Sequence, residues 1–473
     1  MITNINEILE KELTKLVNKA VCELLDKFHC RLEENQKSLT TLMEDSKEIS
    51  NRLVIKVVES FGKSVDMIYS RDIRNKKEVE ITHGHKHKRI LSDIGEINFD
   101  RKRYVVNGEP FYVVDDFLML DKRQRIEKGY QSNILKLSAE TSYNKAAKLL
   151  NNDITPRTAL NIARRSYLQT MDKMNDVKEM RYVDKVFIEA DEDHIHLKDG
   201  TSGIMKLVYV HEGYYYDSIL KKRVLINPRY FSTNKSSRYI WAQVKEYVKK
   251  RYYPGTPISI SGDGAFWIKQ SFKFFPNAKF NLDRFHVYQT IVRLTKGRKD
   301  KMKEYLKAIR DKDYEFFKKK YYERFKKDAK VDKSSGNMYG ILYLLNNLEN
   351  IDLDSIDICC SAESHVSNVL SARMSSRPMA WSKEGANVMA GYRAYQASNF
   401  DFKKIFNSSN FGLDKNSTKS NTKSNEGNSA DRGSLARIQT SNSILGVEGL
   451  QDQISESLKK VLSKCKAAFS RIL

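Results

Sequence analysis

The chain has 473 residues, 40% of them apolar and 10% aromatic, a composition that excludes an intrinsically disordered protein and allows about two to four domains. Lysine and arginine number 83 against 60 acidic residues. The net charge of +23 therefore indicates a polyanionic partner, unless the excess lysines simply form a solvated face. The five cysteines form no CxxC pair, which excludes a zinc knuckle or a disulfide framework and favours a reducing compartment.

The N-terminal region, residues 1–70, has apolar residues at helical spacing and no proline. We expect two or three helices there, serving packing or oligomerisation. The first residues are charged and amphipathic, and no apolar run in the chain reaches the ~20 residues that span a bilayer. These features predict a cytoplasmic protein without membrane contact.

Residues 71–128 have alternating apolar and polar residues, which predict a small antiparallel β region. Asn107 and Gly108 form a strong signal for a two-residue hairpin. The sequence Arg-Lys-Arg at 101–103 falls on one predicted strand. It could contact phosphates, or it could belong to a basic edge strand that resists aggregation.

Residues 129–180 contain a predicted helix-turn-helix, in the segment SYNKAAKLLNNDITPRTALNIARR. Its first helix has an apolar face, and Thr155 followed by Pro156 is an N-cap with proline at the first helical position of the second helix. In such a motif the second helix enters the major groove of DNA. The residues it would present to DNA are Arg157, Thr158, Asn161, Arg164 and Arg165. Any helical hairpin has a similar pattern, so an ordinary packing role stays open.

From residue 181 to residue 292 the pattern is that of a mixed α/β domain. Strands are predicted at KVFIEAD, IMKLVYVHEG, KRVLIN, ISISGD and AKFNLD, with a helix at YIWAQVKEYVKKR before the fourth strand. A ribonuclease H-like fold has this element order: three strands, a helix, a strand, a helix and a strand. We therefore expect that fold, with carboxylates gathered at the ends of adjacent central strands.

Residues 293–355 should form a basic helical insertion in this catalytic core. Between 293 and 333 there are 17 basic against 8 acidic residues, with aromatic residues interleaved. Phosphate contact by the basic face is the favoured role and base stacking the lesser one, because aromatics at helical spacing usually belong to a core. Residues 356–405 complete the core, 406–442 predict a flexible polar linker, and 443–473 predict an amphipathic helix.

Three carboxylates are the candidate catalytic residues and metal ligands. Asp191 ends the apolar strand VFIEA, Asp263 follows ISISG between two glycines, and Glu363 opens the helix ESHVSNVLSARM. Such hard oxygen ligands can hold two Mg²⁺ or Mn²⁺ ions for phosphoryl transfer. Glu189 and Asp193 share the strand parity of Asp191 and could substitute for it. The ordinary alternative for Asp191 or Asp263 is a cap at a strand-to-helix turn.

Two further pairs of residues are candidates for supporting roles. Asp283 and His286 are one helical turn apart and could share a proton or order a water molecule, while a purely structural histidine is an equal alternative. Arg373 and Arg377, at the end of the last predicted helix, could hold a phosphate of DNA.

Four segments carry a resemblance to a known family: EADEDHIHL, SGDGAFWI, LDRFHVY and AESHVSNVLSARMSSRPMAWS. In this order they resemble the motifs of the ISLre-type bacterial insertion-sequence transposases, an uncharacterised protein family similar in turn to the Mutator-like DDE transposases. The resemblance runs from about Arg71 to Trp381. It implies a ribonuclease H-like domain with a helical insertion before the final glutamate.

The resemblance also implies roles for individual residues. By motif, the catalytic triad is Asp191, Asp263 and Glu363, and Asp283 with His286 matches an Asp-x-x-His pair of the related families. The implied activity is strand cleavage at the ends of a mobile element, followed by attack of the freed 3′-hydroxyl on target DNA.

We therefore expect a DNA transposase that works on double-stranded DNA at the nucleoid. It should act as a homodimer or larger assembly, because two element ends must be brought together. One alternative is a structure-selective metal-dependent nuclease, which would share the metal site but lack strand transfer. The other is a non-catalytic DNA-binding regulator, whose activity would be unaffected by substitution of Asp263.

Overall fold

A computed structural model describes residues 2–34, 38–72, 79–106, 108–150, 153–175, 179–219, 221–328, 336–354 and 361–406. These residues form a mixed α/β structure with several sheets, in two compact units within residues 1–131 and 132–407. Within the described ranges, no helix is both long and apolar enough to cross a membrane. The linker and terminal helix predicted from the sequence lie, beyond Phe406, outside the described residues.

The first unit consists of two long helices followed by a small sheet. Its elements are α1 (Ile2–Glu33), α2 (Leu39–Asp72), β1 (Val79–Ser92), β2 (Gly95–Val106), β3 (Glu109–Phe111) and α3 (Val113–Phe117). The strands are antiparallel in the order β1-β2-β3, and Val106 pairs with Glu109. That register leaves two residues for the turn, as the Asn-Gly pair predicts, although Asn107 itself lies outside the described residues. Val65 and Tyr69 of α2 join Phe99 of β2 in the core.

The basic stretch 101–103 lies on β2, which is the central strand of its sheet. The edge-strand interpretation is therefore wrong. Arg101 is buried and pairs with the carboxylate of Asp115, which also accepts a hydrogen bond from Lys88 Nζ at 2.9 Å. Since a buried charge needs a partner of opposite charge, Arg101 holds the unit together and is not available to DNA.

The second unit starts within α4 (Lys128–Glu140) and contains twelve further α-helical segments in the described residues. They are α5 (Tyr143–Leu149), α6 (Pro156–Asn175), α7 (Ser237–Arg251), α8 (Phe266–Lys269), α9 (Arg284–Thr295), α10 (Lys299–Arg310), α11 (Tyr314–Asp328), α12 (Gly336–Asn346), α13 (Ala362–Val366), α14 (Ala372–Met374), α15 (Lys383–Ala397) and α16 (Lys403–Phe406). A π-helical turn, Ser367–Ser371, connects α13 to α14, and short 3-10 turns follow α8 and α12.

Seven strands complete the second unit: β4 (Val186–His196), β5 (Ser202–His211), β6 (Tyr214–Asp217), β7 (Lys222–Leu225), β8 (Arg229–Thr233), β9 (Ile258–Gly262) and β10 (Lys279–Leu282). Five of them form one sheet in the order β10-β9-β4-β5-β8. β5 is antiparallel to both β4 and β8, whereas β9 runs parallel to β4 and β10 parallel to β9. Ile188, Ala190, Trp241 and Val244 lie in the core between this sheet and α7.

Two strand predictions were wrong in detail. β4 continues to His196, so Asp191 lies within the strand and not at its end. The segment KRVLIN was expected to be the third strand of the main sheet, but residues 222–225 pair with β6 in a separate two-stranded ribbon. The third strand of the main sheet is β8, which pairs with β5 at the edge of the sheet and buries Tyr230 and Phe231 on its two faces.

The basic segment after β10 is helical and partly built into the core. Tyr305, Ile309 and Phe317 of α10 and α11 are buried, while Tyr322 and Phe325 are 62% and 52% exposed. The sequence-based expectation that these aromatic residues belong to a core therefore holds for Tyr305 and Phe317 but not for Tyr322 and Phe325.

Candidate active site

Asp191 lies on the face of β4 that meets α13. The alternation along β4 directs Ala190 into the core and Glu189, Asp191 and Asp193 to the opposite face. Asp191 is only 7% exposed, and its Oδ1 accepts a hydrogen bond from Glu192 N at 2.8 Å. Its Oδ2 has no hydrogen-bond partner among the described residues. A buried carboxylate oxygen without a donor is costly, so this atom indicates a missing partner.

Residues from two distant segments meet Asp191. One ligand atom each from Asp191, His286 and Glu363 lie within 4.8 Å of one another. Glu363 is exposed in the first turn of α13, and His286 is in the first turn of α9. His286 Nε2 is buried without a hydrogen bond to any residue the structure describes, and it lies 3.8 Å from Asp283 Oδ2. His286, expected only in support, is thus a member of the cluster.

Asp263 stands next to this cluster but is not one of its three members. It follows β9, where a Cβ at Gly262 would lie 2.8 Å from the carbonyl oxygen of Ala190, so glycine allows β9 to approach β4 closely. Asp263 Oδ1 accepts a hydrogen bond from Ala265 N at 2.8 Å. Asp263 therefore stabilises the turn before α8, but it is not the N-cap of that helix, which is Ala265; the turn contact uses one carboxylate oxygen.

Asp283 caps the helix that carries His286. It follows β10, its backbone N–H donates to Gly262 O at 2.8 Å, and its Oδ1 accepts from Phe285 N at 2.9 Å. Fixing the first turn of α9 in this way fixes the position of the His286 ring.

The electrostatic environment of Asp191 disfavours its ionised form. Burial, together with the carboxylates of Asp263 and Glu363, raises the pKa of Asp191 to about 7, against the lowering effects of the Glu192 N–H and of His286. Carboxylates arranged to repel one another are unfavourable in the apo protein and favourable once a cation binds between them. The repulsion between the carboxylates and the unpaired Oδ2 of Asp191 would thus both be relieved by a bound cation.

Tyr343 of α12 is a neighbour that the sequence did not suggest. Burial, together with the charges of Asp263 and Asp283, raises the pKa of Tyr343, and its hydroxyl is buried without a hydrogen bond to a described residue. A tyrosine within the apolar pattern GILYLL of an insertion helix has no local signal that would separate it from an ordinary core residue.

The donor set could hold a divalent cation. Carboxylate oxygens suit Mg²⁺ and Mn²⁺, and the imidazole of His286 favours a transition-metal ion such as Mn²⁺ over Mg²⁺. The partnerless Asp191 Oδ2 and His286 Nε2 are the atoms that such an ion would satisfy. The residues therefore fit the ion that the sequence predicts.

Glu189, considered from its parity as a substitute ligand, has a different role. It is 4% exposed and accepts hydrogen bonds from the hydroxyl of Tyr209, from His211 Nε2 at 3.1 Å and from Ser361 N at 2.7 Å. Burial alone would raise the pKa of Glu189, but the hydrogen bonds from His211, Tyr209 and Ser361 lower it below its usual value. Because both carboxylate oxygens of Glu189 already accept hydrogen bonds, Glu189 is not free to bind a cation.

This buried network also anchors the segment that carries Glu363. Ser361, two residues before it, is held by Glu189, and His365, two residues after it, contacts Tyr230 through a 2.8 Å hydrogen bond. The ring of His365 also packs on Tyr209, with 4.6 Å between ring centroids. Glu363 is thus exposed between two fixed points, and the π-helical turn that follows α13 is a deformation often found at functional sites.

The predicted helix-turn-helix corresponds to α5 and α6. Thr155 Oγ1 accepts the N–H of Thr158 at 3.1 Å and caps α6, which starts at Pro156 as predicted. The inner face of α6 packs on α15, where Tyr392 Oη donates to Ala163 O at 2.7 Å. The outer face presents the predicted DNA-contacting residues, exposed except for the half-buried Thr158: Arg157, Thr158, Asn161, Arg164 and Arg165.

Arg373 and Arg377 do not form a phosphate-binding pair. Arg373 is 6% exposed, its Nε donates to Ser138 O at 3.1 Å, and its guanidinium lies 5.0 Å from the ring of Trp381. This burial between α4 and α14 makes Arg373 a packing residue, which corrects its predicted role. Arg377 is exposed and could still contact DNA.

Comparisons with known proteins identify relatives along most of the chain. A UPF0236 protein of Caldanaerobacter subterraneus subsp. tengcongensis, whose name joins eleven numbered designations, is 32% identical over 393 residues, covering 81% of this chain and 83% of that protein. A second from this organism is 31% identical over 377 residues, 78% of this chain and 80% of the relative. A UPF0236 protein in the vanSb 3′ region of Streptococcus gallolyticus is 24% identical over 322 residues, 62% of this chain and 69% of the relative. Since the model of the "Uncharacterised protein family (UPF0236)" matches residues 6–407, the chain belongs to that family.

Proposed function

We propose that the protein is a DNA transposase, which cleaves DNA at the ends of its element and joins the freed 3′-hydroxyl to target DNA. The observation that carries this proposal is the meeting of Asp191, His286 and Glu363, with Asp263 beside them, from four separate parts of the chain. Phosphodiester transfer requires such a cluster of cation ligands, and the net charge of +23 suits a polyanionic substrate.

The strand arrangement supports a ribonuclease H-like catalytic domain. Three antiparallel strands, β4, β5 and β8, are followed in the chain by two parallel strands, β9 and β10, and β4 lies at the centre. This is the arrangement expected for that fold, and the helices α10 to α12 occupy the place of the insertion before the final glutamate.

Two Mg²⁺ or Mn²⁺ ions are the proposed cofactors. Asp191, Glu363 and His286 would hold one ion, and Asp263 with Asp191 would hold the other. When bound, such ions supply activation of the attacking oxygen and stabilisation of the leaving oxygen. The chain itself fixes the segment of Glu363 through the network around Glu189 and keeps bulk water from Asp191 by burial.

Double-stranded DNA, both element ends and target, is the proposed partner, with the outer face of α6 as one contact surface. The protein would work in the cytoplasm at the nucleoid, as a homodimer or larger assembly that joins two ends. A single name that joins eleven numbered designations in one organism fits a gene present in many copies, which is what a mobile element produces.

A strand-transfer assay tests the proposed function. The full chain is incubated with Mn²⁺, a DNA end that already carries a free 3′-hydroxyl, and supercoiled target DNA. We expect joined products that require the divalent ion. Cleavage of intact DNA without any joined product would instead favour the structure-selective nuclease. The absence of both cleavage and joining would favour the non-catalytic regulator.

Removing basic residues from the outer face of α6 should weaken DNA binding. In the double variant Arg157→Ala and Arg164→Ala, the slope of log affinity against log salt should fall by about two, because each phosphate contact contributes about one. Titration of end-containing DNA at several salt concentrations measures this slope. The matched control is Lys250→Ala on α7, whose exposed ammonium already pairs with Glu246 at 2.7 Å. Equal slopes for the double variant and the control would exclude α6 as a DNA contact.

A further inference from the structure

A second candidate site is a cavity of about 590 Å³ at the start of β8, lined also by α7 and by the loop after α15. In β8 the alternation places Arg229 and Phe231 on the α7 face and Tyr230 on the face that meets Glu189's network. Because Asp191 also lies on that second face, the cavity and the carboxylate cluster are on opposite sides of the sheet. The cavity is therefore a separate feature of the second unit.

Arg229 is the unusual residue of this cavity. It is 4% exposed, and its Nε and Nη2 atoms are buried without a hydrogen bond to any described residue. The rings of Phe400 and Tyr247 lie 4.4 and 5.4 Å from its guanidinium and stabilise the cation only in part. Burial lowers the pKa of Arg229 to about 10, so the group is still a cation at neutral pH. A buried cation needs an anion, and none of the described residues that line the cavity is acidic.

The rest of the lining is rich in hydrogen-bond donors and aromatic surface. Arg251 adds a second guanidinium, Asn399 adds an amide, and Tyr215 adds a ring that is 51% exposed. Tyr215 belongs to the ribbon of β6 and β7, whose exposed basic residues, Lys221, Lys222 and Arg223, increase the positive potential near the cavity. A volume of about 590 Å³ is that of an organic ligand site and larger than a bare phosphate needs.

We propose that this cavity binds the phosphate ester of a nucleotide. The phosphate would pair with Arg229 and Arg251, since planar guanidinium groups match phosphate oxygens, and the sugar or base would pack on Tyr215. The nucleotide could be free or part of a DNA strand, and the chemistry recognised is the same in both cases. The site does not depend on the proposed transposase activity, because it uses none of the carboxylate cluster.

Binding to the full chain tests the proposal with three probes: inorganic phosphate, thymidine 5′-monophosphate and a short single-stranded oligodeoxynucleotide. We expect the two nucleotide probes to raise the Tm and to bind more tightly than inorganic phosphate. Arg229→Met and Arg251→Gln should each weaken that binding by roughly tenfold or more, as loss of a charge-assisted bidentate contact does. Arg229→Met should also be at least as stable as the wild type, because it removes an unpaired buried charge.

The outcomes separate the two sources of the nucleotide. Equal binding of the monophosphate and the oligodeoxynucleotide assigns the site to free nucleotides, whereas Arg251-dependent binding of the oligodeoxynucleotide alone assigns it to a DNA strand. The Glu192→Gln variant, altered outside both the cavity and the carboxylate cluster, should bind thymidine 5′-monophosphate as the wild type does, whatever the fate of the proposed function. The proposal is overturned if no probe binds, or if Arg251→Gln, whose half-exposed position makes misfolding no explanation, binds every probe with wild-type affinity.

Discussion

Asp191→Asn should reduce DNA cleavage by orders of magnitude and at the same time stabilise the apo protein at neutral pH. The loss follows because asparagine removes a carboxylate that would hold the cations that the reaction needs. The gain follows because burial and the carboxylates of Asp263 and Glu363 raise the pKa of Asp191 from 3.8 to about 7. A shift of this size corresponds to at most about 4 kcal/mol of stability at pH 7 and above.

The pH dependence of that stability gain has a definite sign. Between pH 4 and pH 7 the folded protein holds a proton on Asp191 that the unfolded chain has released, so the wild type loses stability as the pH rises through this window. Asparagine does not titrate. The difference in Tm between variant and wild type should therefore grow from pH 4 to pH 7 and level off above it.

Thermal unfolding across this pH range, with and without Mn²⁺, measures both effects. Mn²⁺ should raise the Tm of the wild type and leave that of Asp191→Asn nearly unchanged. Glu192→Gln is the matched control, because this neighbouring carboxylate lies on the opposite face of β4 and should be dispensable for cleavage. Full cleavage activity in Asp191→Asn would contradict the proposed site, and so would an equal Mn²⁺ effect on both proteins.

The sequence was sufficient to predict the strands that carry Asp191 and Asp263, but not to predict where the first of these strands ends. The apolar runs before Asp191 and Asp263 predicted adjacent strands, and the structure has β4 and β9 as parallel neighbours. The end of β4 could not be predicted, because its last five residues, EDHIH, are mostly polar. They are a strand because β5 pairs with them up to His196, a contact between segments that the local pattern does not encode.

Burial explains why other predictions failed. Arg373 and Arg101 looked like phosphate ligands because an arginine near a helix end or on a basic strand is usually exposed. Arg373 instead fills a site against Ser138, 235 residues away in sequence, and Arg101 a site against Asp115. Strand parity correctly placed Glu189 on the face of Asp191. It could not show that Ser361, 172 residues later, would use that carboxylate as its acceptor.

Glu189→Ala should impair catalysis through the position of Glu363, without removing a cation ligand. Alanine leaves the Ser361 N–H, the Tyr209 hydroxyl and His211 without their shared acceptor, so the first turn of α13 loses its attachment to β4. Loss of such an orienting group typically costs about 10- to 100-fold in metal affinity or activity. We expect the Mn²⁺ concentration for half-maximal cleavage to rise by that factor, and breaking the buried network to cost about 3–5 kcal/mol of stability.

A stability loss alone would not identify Glu189 as a positioning residue, so the comparison must separate folding from metal use. Asn387→Ala is a suitable control, because Asn387 is also buried and bonds Thr233 and Tyr167 on elements away from Glu363. It should lower the Tm without changing the Mn²⁺ requirement of the folded fraction. Glu189→Gln keeps an acceptor oxygen for Ser361 and should recover most of the Mn²⁺ affinity. If instead the alanine variants at 189 and 387 had the same Mn²⁺ requirement, Glu189 would be a stabilising residue only, and the position of Glu363 would not depend on it.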